Sequence, residues 1–244
     1  MDGHGGALAG GALDVGRAAQ RCRAVADAGE PVAAGVGRGG LGTANSAQTE
    51  VRKDAGADGR FTARGITVDA EGRVYLAGGP NGLNTGPQVF RVADDGSGFQ
   101  ATLWADATDE IVVFTGFNLG GIVLTADRRA LVVAQGTTGQ LWRFDSVTGG
   151  ATPVATGGAD LTNADGLVRQ GNRLTVVRNF TRKVATLRLA ADGTAAQLIG
   201  QVDTAPDRVL TTAKVLRGRI LYVDSKFDET VGLPPYEVVT DPTT

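Results

Sequence analysis

From Phe61 onward, short runs of Val, Leu, Ile and Tyr alternate with turns that are rich in Gly, Asp and Asn. Hydrophobic runs of this length, separated by turn residues, indicate many short antiparallel strands. The pattern therefore predicts an all-β protein.

The hydrophobic runs fall into four similar units. In each unit a small residue opens one strand, a turn and a second strand follow, and a third strand ends in a Gly-containing turn. The openings are Gly65, Gly121, Gly166 and Ala213. They recur roughly every 45 to 55 residues, and a period near 45 with about four strands per unit is typical of β-propeller blades.

A propeller also explains how such units stay folded. A four-stranded sheet has two apolar faces, and stacking the blades around an axis covers both of them. We expect four large side chains of the third strands to fill the space between blades: Phe90, Trp142, Phe144 and Leu187. A β-sandwich is the alternative architecture, although it would not require a repeat.

Composition narrows the function. The chain has 244 residues and a net charge of −2, with Lys and Arg scattered, so we expect neither a nucleic-acid partner nor an anionic membrane surface. No apolar run approaches the roughly 20 residues that would span a bilayer. Cys22 and His4 are the only residues of their kinds, so an intramolecular disulfide and a zinc site of several His or Cys ligands are excluded. Catalysis would fall to carboxylates, hydroxyls, Lys or Arg, with a metal ion bound by oxygen.

Residues 1–55 differ from the rest, because they are rich in Ala, Gly, Arg and Asp and poor in large hydrophobic residues. This composition predicts a disordered or weakly structured leader followed by a partial propeller over 56–244. A second interpretation is that the leader is not the native start but an out-of-frame stretch. No secretory signal is visible in it.

Three motifs resemble the senescence-marker-protein, gluconolactonase and luciferin-regenerating-enzyme family, in particular its bacterial, often secreted branch. They are GFNLGGIVLTADRRALVVAQGTTGQLWRFD, LTNADGLVRQGNRLTVVRN and VLRGRILYVDSKFD. The resemblance implies a six-bladed propeller with a divalent metal, commonly calcium, at the mouth of the central channel, and hydrolysis of sugar lactones. Since about four blades are recognisable, we expect a truncated or degenerate member, which could remain an open array or close as a smaller ring.

The resemblance also suggests site residues. Asp165 matches an aspartate that binds the metal and acts as general base, whereas Gly120 stands where the family has an asparagine ligand. Asn118 and Asn163 could supply further oxygens. From the residues alone, Asp165 could equally be a turn residue, and both asparagines could be turn or strand-cap residues.

Two functions follow from these residues. The first is metal-assisted hydrolysis of a lactone or small ester. The second is a non-catalytic propeller, either a binding module or a decayed relative, because a calcium site normally uses more than one carboxylate. In both cases the expected partner is a small molecule.

Overall fold

The computed structural model describes residues 52–53, 62–69, 71–79, 86–94, 99–229 and 237–244. These residues form four β-sheets and no helix, so none of them forms a helix that could cross a membrane. We call the sheets blades 1 to 4, in chain order: β1–β5, β6–β9, β10–β13 and β14–β16. The prediction of an all-β propeller with four recognisable blades is confirmed.

Blades 1 and 2 follow the predicted order of strands. Their strands are β1 (Arg52–Lys53), β2 (Thr62–Val68), β3 (Val74–Gly79), β4 (Gln88–Asp94), β5 (Phe99–Asp106), β6 (Leu119–Leu124), β7 (Ala130–Gln135), β8 (Gln140–Asp145) and β9 (Ala151–Pro153). Apart from β1, which pairs in parallel with β5, neighbouring strands are antiparallel and consecutive in the chain.

Blades 3 and 4 repeat this antiparallel arrangement. Their strands are β10 (Ala164–Gln170), β11 (Arg173–Arg178), β12 (Lys183–Leu189), β13 (Ala196–Asp203), β14 (Leu210–Leu216), β15 (Arg219–Asp224) and β16 (Val238–Val239). The first main strand of each blade packs against that of the next, so β2, β6, β10 and β14 form an inner row. Among the described residues, no comparable contact joins β14 back to β2.

A glycine near the start of β2, β6 and β10 allows this close packing, whereas β14 has Ala213 at the matching place. A Cβ added to these glycines would collide with the backbone of the next inner strand: 2.2 Å from the Gly120 oxygen for Gly65, 2.2 Å from the Asp165 oxygen for Gly121, and 2.6 Å from the Thr212 Cα for Gly166. The repeated glycine is therefore required by the spacing between blades.

Three hydrophobic cores lie between successive blades, as stacking requires. Phe144 and Trp142 contribute to the core between blades 1 and 2, and Leu187 to the core between blades 2 and 3. Phe90 instead packs in a separate cluster with Leu76. The prediction of large side chains between blades is thus correct for three of the four residues.

The leader prediction concerns residues that the structure mostly leaves undescribed. Arg52 and Lys53 form β1 at the edge of blade 1, and the rest of residues 1–55 lies outside the described part. The division into a leader and a propeller at residue 55 stays a prediction.

Candidate functional site

A pocket opens where the inner strands of blades 2 and 3 begin. Its lining includes Phe117, Asn118, Gly120, Asn163, Asp165 and Asn179. Its empty volume is about 260 Å³, part of which is open solvent. The part of this volume that the protein encloses has room for about one water molecule, so the pocket suits a single small polar group. All three residues that the sequence suggested, Asp165, Asn163 and Asn118, are brought together here.

A β-bulge positions Asp165. Ala164 pairs with Arg178 and Leu167 with Val176, so Asp165 and Gly166 together face one residue of β11. A bulge of this kind bends the strand and redirects its side chains. The half-buried carboxylate of Asp165 accepts a hydrogen bond at Oδ2 from Nδ2 of Asn179, at 2.9 Å.

Asn179 is a residue that sequence reasoning missed. It directly follows β11, and its backbone N–H donates to the carbonyl of Asn163 at 3.1 Å. Its Oδ1 accepts from the N–H of Phe180 at 2.7 Å, which leaves Nδ2 directed at Asp165. The signal that could have found it is the hairpin itself, because antiparallel pairing of β10 with β11 places the end of one strand beside the start of the other.

Asn163 immediately precedes β10 in a left-handed backbone conformation, with φ of 64°. Asparagine tolerates this conformation better than most residues. Its Nδ2 donates to Oγ1 of Thr181 at 2.9 Å. Its Oδ1 accepts no hydrogen bond within the described part of the chain, so this oxygen is available to a ligand.

Asn118 occupies the same place before β6, but its side chain is engaged. Its Oδ1 accepts from the N–H of Phe114 at 3.0 Å and from Nε2 of Gln135 at 3.3 Å, and its Nδ2 donates to the Phe114 carbonyl at 2.8 Å. The residue is only 1% exposed. These contacts support a role in bracing the loop before β6, while its suggested role as a metal ligand stays a prediction.

Gly120 faces Asp165 across the gap between blades 2 and 3. A Cβ at Gly120 would lie 3.7 Å from Oδ1 of Asp165. A side chain at this position would therefore reach the carboxylate directly. With glycine, position 120 places no side chain beside Oδ1.

Arg178 fixes the segment that leads into the pocket. It is 2% exposed, and its guanidinium donates to the Thr162 carbonyl at 3.0 Å, to Gln201 at 2.8 Å and to Asp160 at 2.7 Å. Hydrogen bonds from Thr162 and from Arg178 lower the pKa of Asp160 to about 2. The carboxylate of Asp160 is therefore charged at neutral pH and is tied to Arg178.

The oxygen donors limit which metal the pocket could hold. Among the described residues there is no group of three or more His, Cys, Asp or Glu side chains suited to a metal ion. Asp165 carries the one carboxylate among the lining residues, and Asn163 is a lining residue whose Oδ1 could be a second oxygen donor. Calcium takes about six to eight oxygen ligands. These two donors therefore fit a divalent cation that keeps most of its water ligands.

No family model matches the chain. No curated protein matches it either. Solved structures that resemble it include the major Malassezia sympodialis allergen Mala s 1, with 19% identity over 69% of this chain and 52% of that chain, at a TM-score of 0.47. A candidate 6-phosphogluconolactonase from Bacteroides fragilis has 17% identity over 62% of this chain and 43% of that chain, at a TM-score of 0.44. The glutaminyl cyclase of Myxococcus xanthus has 17% identity over 67% of this chain and 68% of that chain, also at 0.44.

The chain thus spans about half the length of the first two of these structures. The propeller fold is assigned from the order and pairing of the strands within the four sheets. The similarities are too distant to assign a family or an activity.

Proposed function

We propose that the pocket binds a small molecule and hydrolyses a lactone or small ester, with Asp165 as the general base. The observation that carries this proposal is the hydrogen bond from Asn179 to Asp165, in a pocket that Asn163 also lines. A carboxylate held at one oxygen keeps a fixed direction, as a positioned base requires.

The proposed reaction takes place beside Oδ1 of Asp165. Asn179 donates to Oδ2, and Oδ1 lies near Gly120, which contributes no side chain beside the carboxylate. Asp165 accepts a proton from the water as the water oxygen bonds to the carbonyl carbon. The ester C–O bond then breaks, and the leaving oxygen takes the proton, which gives a hydroxy acid from a lactone or an acid and an alcohol from an ester.

Asp165 and Asn163 are the residues that would hold a divalent cation, which in the family that the sequence resembles is commonly calcium. Such an ion would polarise the carbonyl of the substrate. Asn179 would keep its role with or without a bound cation, because it acts by orienting the carboxylate of Asp165 through the hydrogen bond from Nδ2.

The test is turnover of a panel of lactones and small esters by the purified protein. We expect Asp165→Asn to lower kcat/KM about 100-fold or more, since positioned bases contribute at least this much. Asp109→Asn is the control, because Asp109 is exposed and does not line the pocket. A chelator should also lower turnover. Full activity in Asp165→Asn would reject Asp165 as the general base, and full activity after complete removal of metal would reject a role for a divalent cation.

A second candidate is binding without catalysis. It is favoured by Gly120, which stands where the resemblance implies a ligand, and by the single carboxylate among the lining residues. Calorimetry separates the two functions. Binding of a lactone without turnover would support the second, and micromolar binding of calcium would count against it.

A further inference from the structure

Three phenylalanine rings from successive blades stack on one another beside the pocket. Phe117 precedes β6, Phe180 follows β11 and Phe227 follows β15. The ring centres of Phe117 and Phe180 are 6.0 Å apart and those of Phe180 and Phe227 are 6.2 Å apart, with 28° between the ring planes in both pairs. We call these three residues the phenylalanine row.

Two rings of the phenylalanine row are exposed to solvent, unlike the core residue Phe144. Phe180 is 48% exposed and Phe227 is 54% exposed. Phenylalanine has no polar atom with which to bond water, so an exposed row of such rings gains free energy when an apolar group covers it. Large exposed apolar surfaces on soluble proteins often mark binding sites.

The row is continuous with the candidate site. Phe117 lines the pocket as well as stacking on Phe180, and Phe180 is bonded through its N–H to Asn179, the partner of Asp165. A ligand with its polar group beside Asp165 could therefore extend directly along the rings. The direction from Phe117 to Phe227 leads away from the pocket toward blade 4.

The loop before β6 adds exposed apolar residues at this end of blade 2. Val112, Val113 and Phe114 are all exposed. The side chain of Asn118, which lines the pocket, accepts from the N–H of Phe114 and donates to its carbonyl, and Nε2 of Gln135 donates to the carbonyl of Val112. Thus the pocket has apolar surroundings.

We propose that the phenylalanine row binds the apolar tail of a ligand whose carbonyl group occupies the pocket. On the function proposed above, the substrate class is a lactone or ester that carries an alkyl or aryl chain. A polyhydroxylated sugar lactone suits the row less well, because hydroxyl groups laid over phenylalanine rings would lose water without gaining a hydrogen bond.

The first experiment compares esters of one alcohol with short and long acyl chains. We expect kcat/KM to rise with chain length in the wild-type protein, and Phe180→Ala and Phe227→Ala each to lower the ratio of long-chain to short-chain kcat/KM about fivefold to tenfold. Val147→Ala is the control, because Val147 is exposed in the turn after β8, at the opposite end of blade 2. It should leave the ratio unchanged.

The second experiment measures binding of a γ-lactam with and without a hexyl chain, which does not depend on hydrolysis. Tighter binding of the alkylated lactam, weakened about fivefold to tenfold by Phe180→Ala, would support the row even if no ester is hydrolysed, and only the hydrolase proposal would then fail. Two results together would overturn the proposal that the row binds an apolar tail: hydrolysis without a preference for chain length, and equal lactam affinities in wild type and Phe180→Ala. The hydrolase proposal would then still stand.

Discussion

At the scale of single residues, the two asparagines that precede inner strands have different surroundings. Asn118 and Asn163 hold the same place in blades 2 and 3, and the sequence suggests the same role for both. The side chain of Asn118 is bonded to Phe114 and Gln135, whereas Oδ1 of Asn163 accepts no hydrogen bond within the described part of the chain. The difference depends on the loop contacts of Phe114 and Gln135, which the local pattern of residues does not encode.

Asp160 makes the segment before Asn163 sensitive to acid. Its folded pKa of about 2 lies below the ordinary value of 3.8, because Thr162 and Arg178 bond to the charged form. A lowered carboxyl pKa contributes stability that is present above the ordinary pKa and is lost as the pH falls through the folded one. We therefore expect wild type to be more stable than Asp160→Asn at pH 6, with the difference disappearing between about pH 4 and pH 2.

Thermal unfolding of both proteins across this pH range measures the effect. Asp109→Asn is the matched control, because Asp109 is an exposed aspartate of the loop after β5. A difference between wild type and Asp160→Asn that is the same at pH 2 and pH 6 would show that the ion pair with Arg178 does not stabilise the segment.

The loss of the Lys214 proton should make the protein more stable at alkaline pH than at neutral pH. Partial burial on β14 lowers its pKa from 10.5 to about 8. Between about pH 8 and pH 10.5, Lys214 is protonated in the unfolded chain and neutral in the folded chain. The free energy of unfolding therefore rises across this window, and below pH 8 the folded chain bears the full cost of desolvating the charged Lys214. We expect Lys214→Met to raise the free energy of unfolding at pH 7 by roughly 2 to 3 kcal/mol, and the gain to shrink by pH 10.5.

Urea unfolding at pH 7, 9 and 10.5 tests this expectation. Both proteins have the same tyrosines, so the contribution of tyrosine titration to the free energy of unfolding cancels when wild type is compared with Lys214→Met. A gain that stays constant over this range would indicate a packing effect of methionine and not relief of a buried charge.

At the scale of elements, the small residue that opens each unit was the most informative feature of the sequence. It correctly located β2, β6, β10 and β14. In β2, β6 and β10 this residue is glycine, because the next inner strand lies too close there for a Cβ. The bulges could not be read in the same way, since an extra residue changes the pairing of two strands without a distinct residue pattern. As a result Asp165 was placed on the correct strand, but its partner Asn179 was not found.

The close approach of inner strands predicts that Gly121→Ala is strongly destabilising. Its Cβ would lie 2.2 Å from the Asp165 oxygen and 2.6 Å from the Leu167 nitrogen, both of which are backbone atoms. Blades 2 and 3 would have to separate, so we expect a loss of at least about 2 kcal/mol in the free energy of unfolding. Since the clash includes Asp165, ligand binding in the pocket should weaken as well.

Gly200→Ala provides the matched control for this substitution. Gly200 also lies in a strand, β13, but its Cβ would meet no atom within 4 Å. Chemical denaturation should show Gly200→Ala within about 0.5 kcal/mol of wild type. Equal effects of the two substitutions would contradict the role of the glycines in spacing the blades.

At the scale of the whole molecule, blades 2 and 3 each pack against a neighbouring blade on both sides, whereas blades 1 and 4 are at the two ends of the series. Blade 4 meets blade 3 through the smallest of the three interblade cores, which includes Val177, Ala213 and Tyr222. Among the described residues, β14 makes no extended contact with β2. The stability of such a series is approximately a sum of blade and interface contributions, so an end blade can open without the others.

Native-state hydrogen exchange should therefore detect opening of blade 4 before the rest of the protein. We expect the hydrogen-bonded amides of β15 to exchange at least about tenfold faster than those of β11, which lies in blade 3 between two neighbours. Tyr222→Ala removes a nearly buried ring from the last interface, and it should accelerate exchange in β14 and β15 while leaving β6 to β8 unchanged. Equal protection of β15 and β11 would mean that blade 4 is covered on both faces in solution, as it would be in a closed ring.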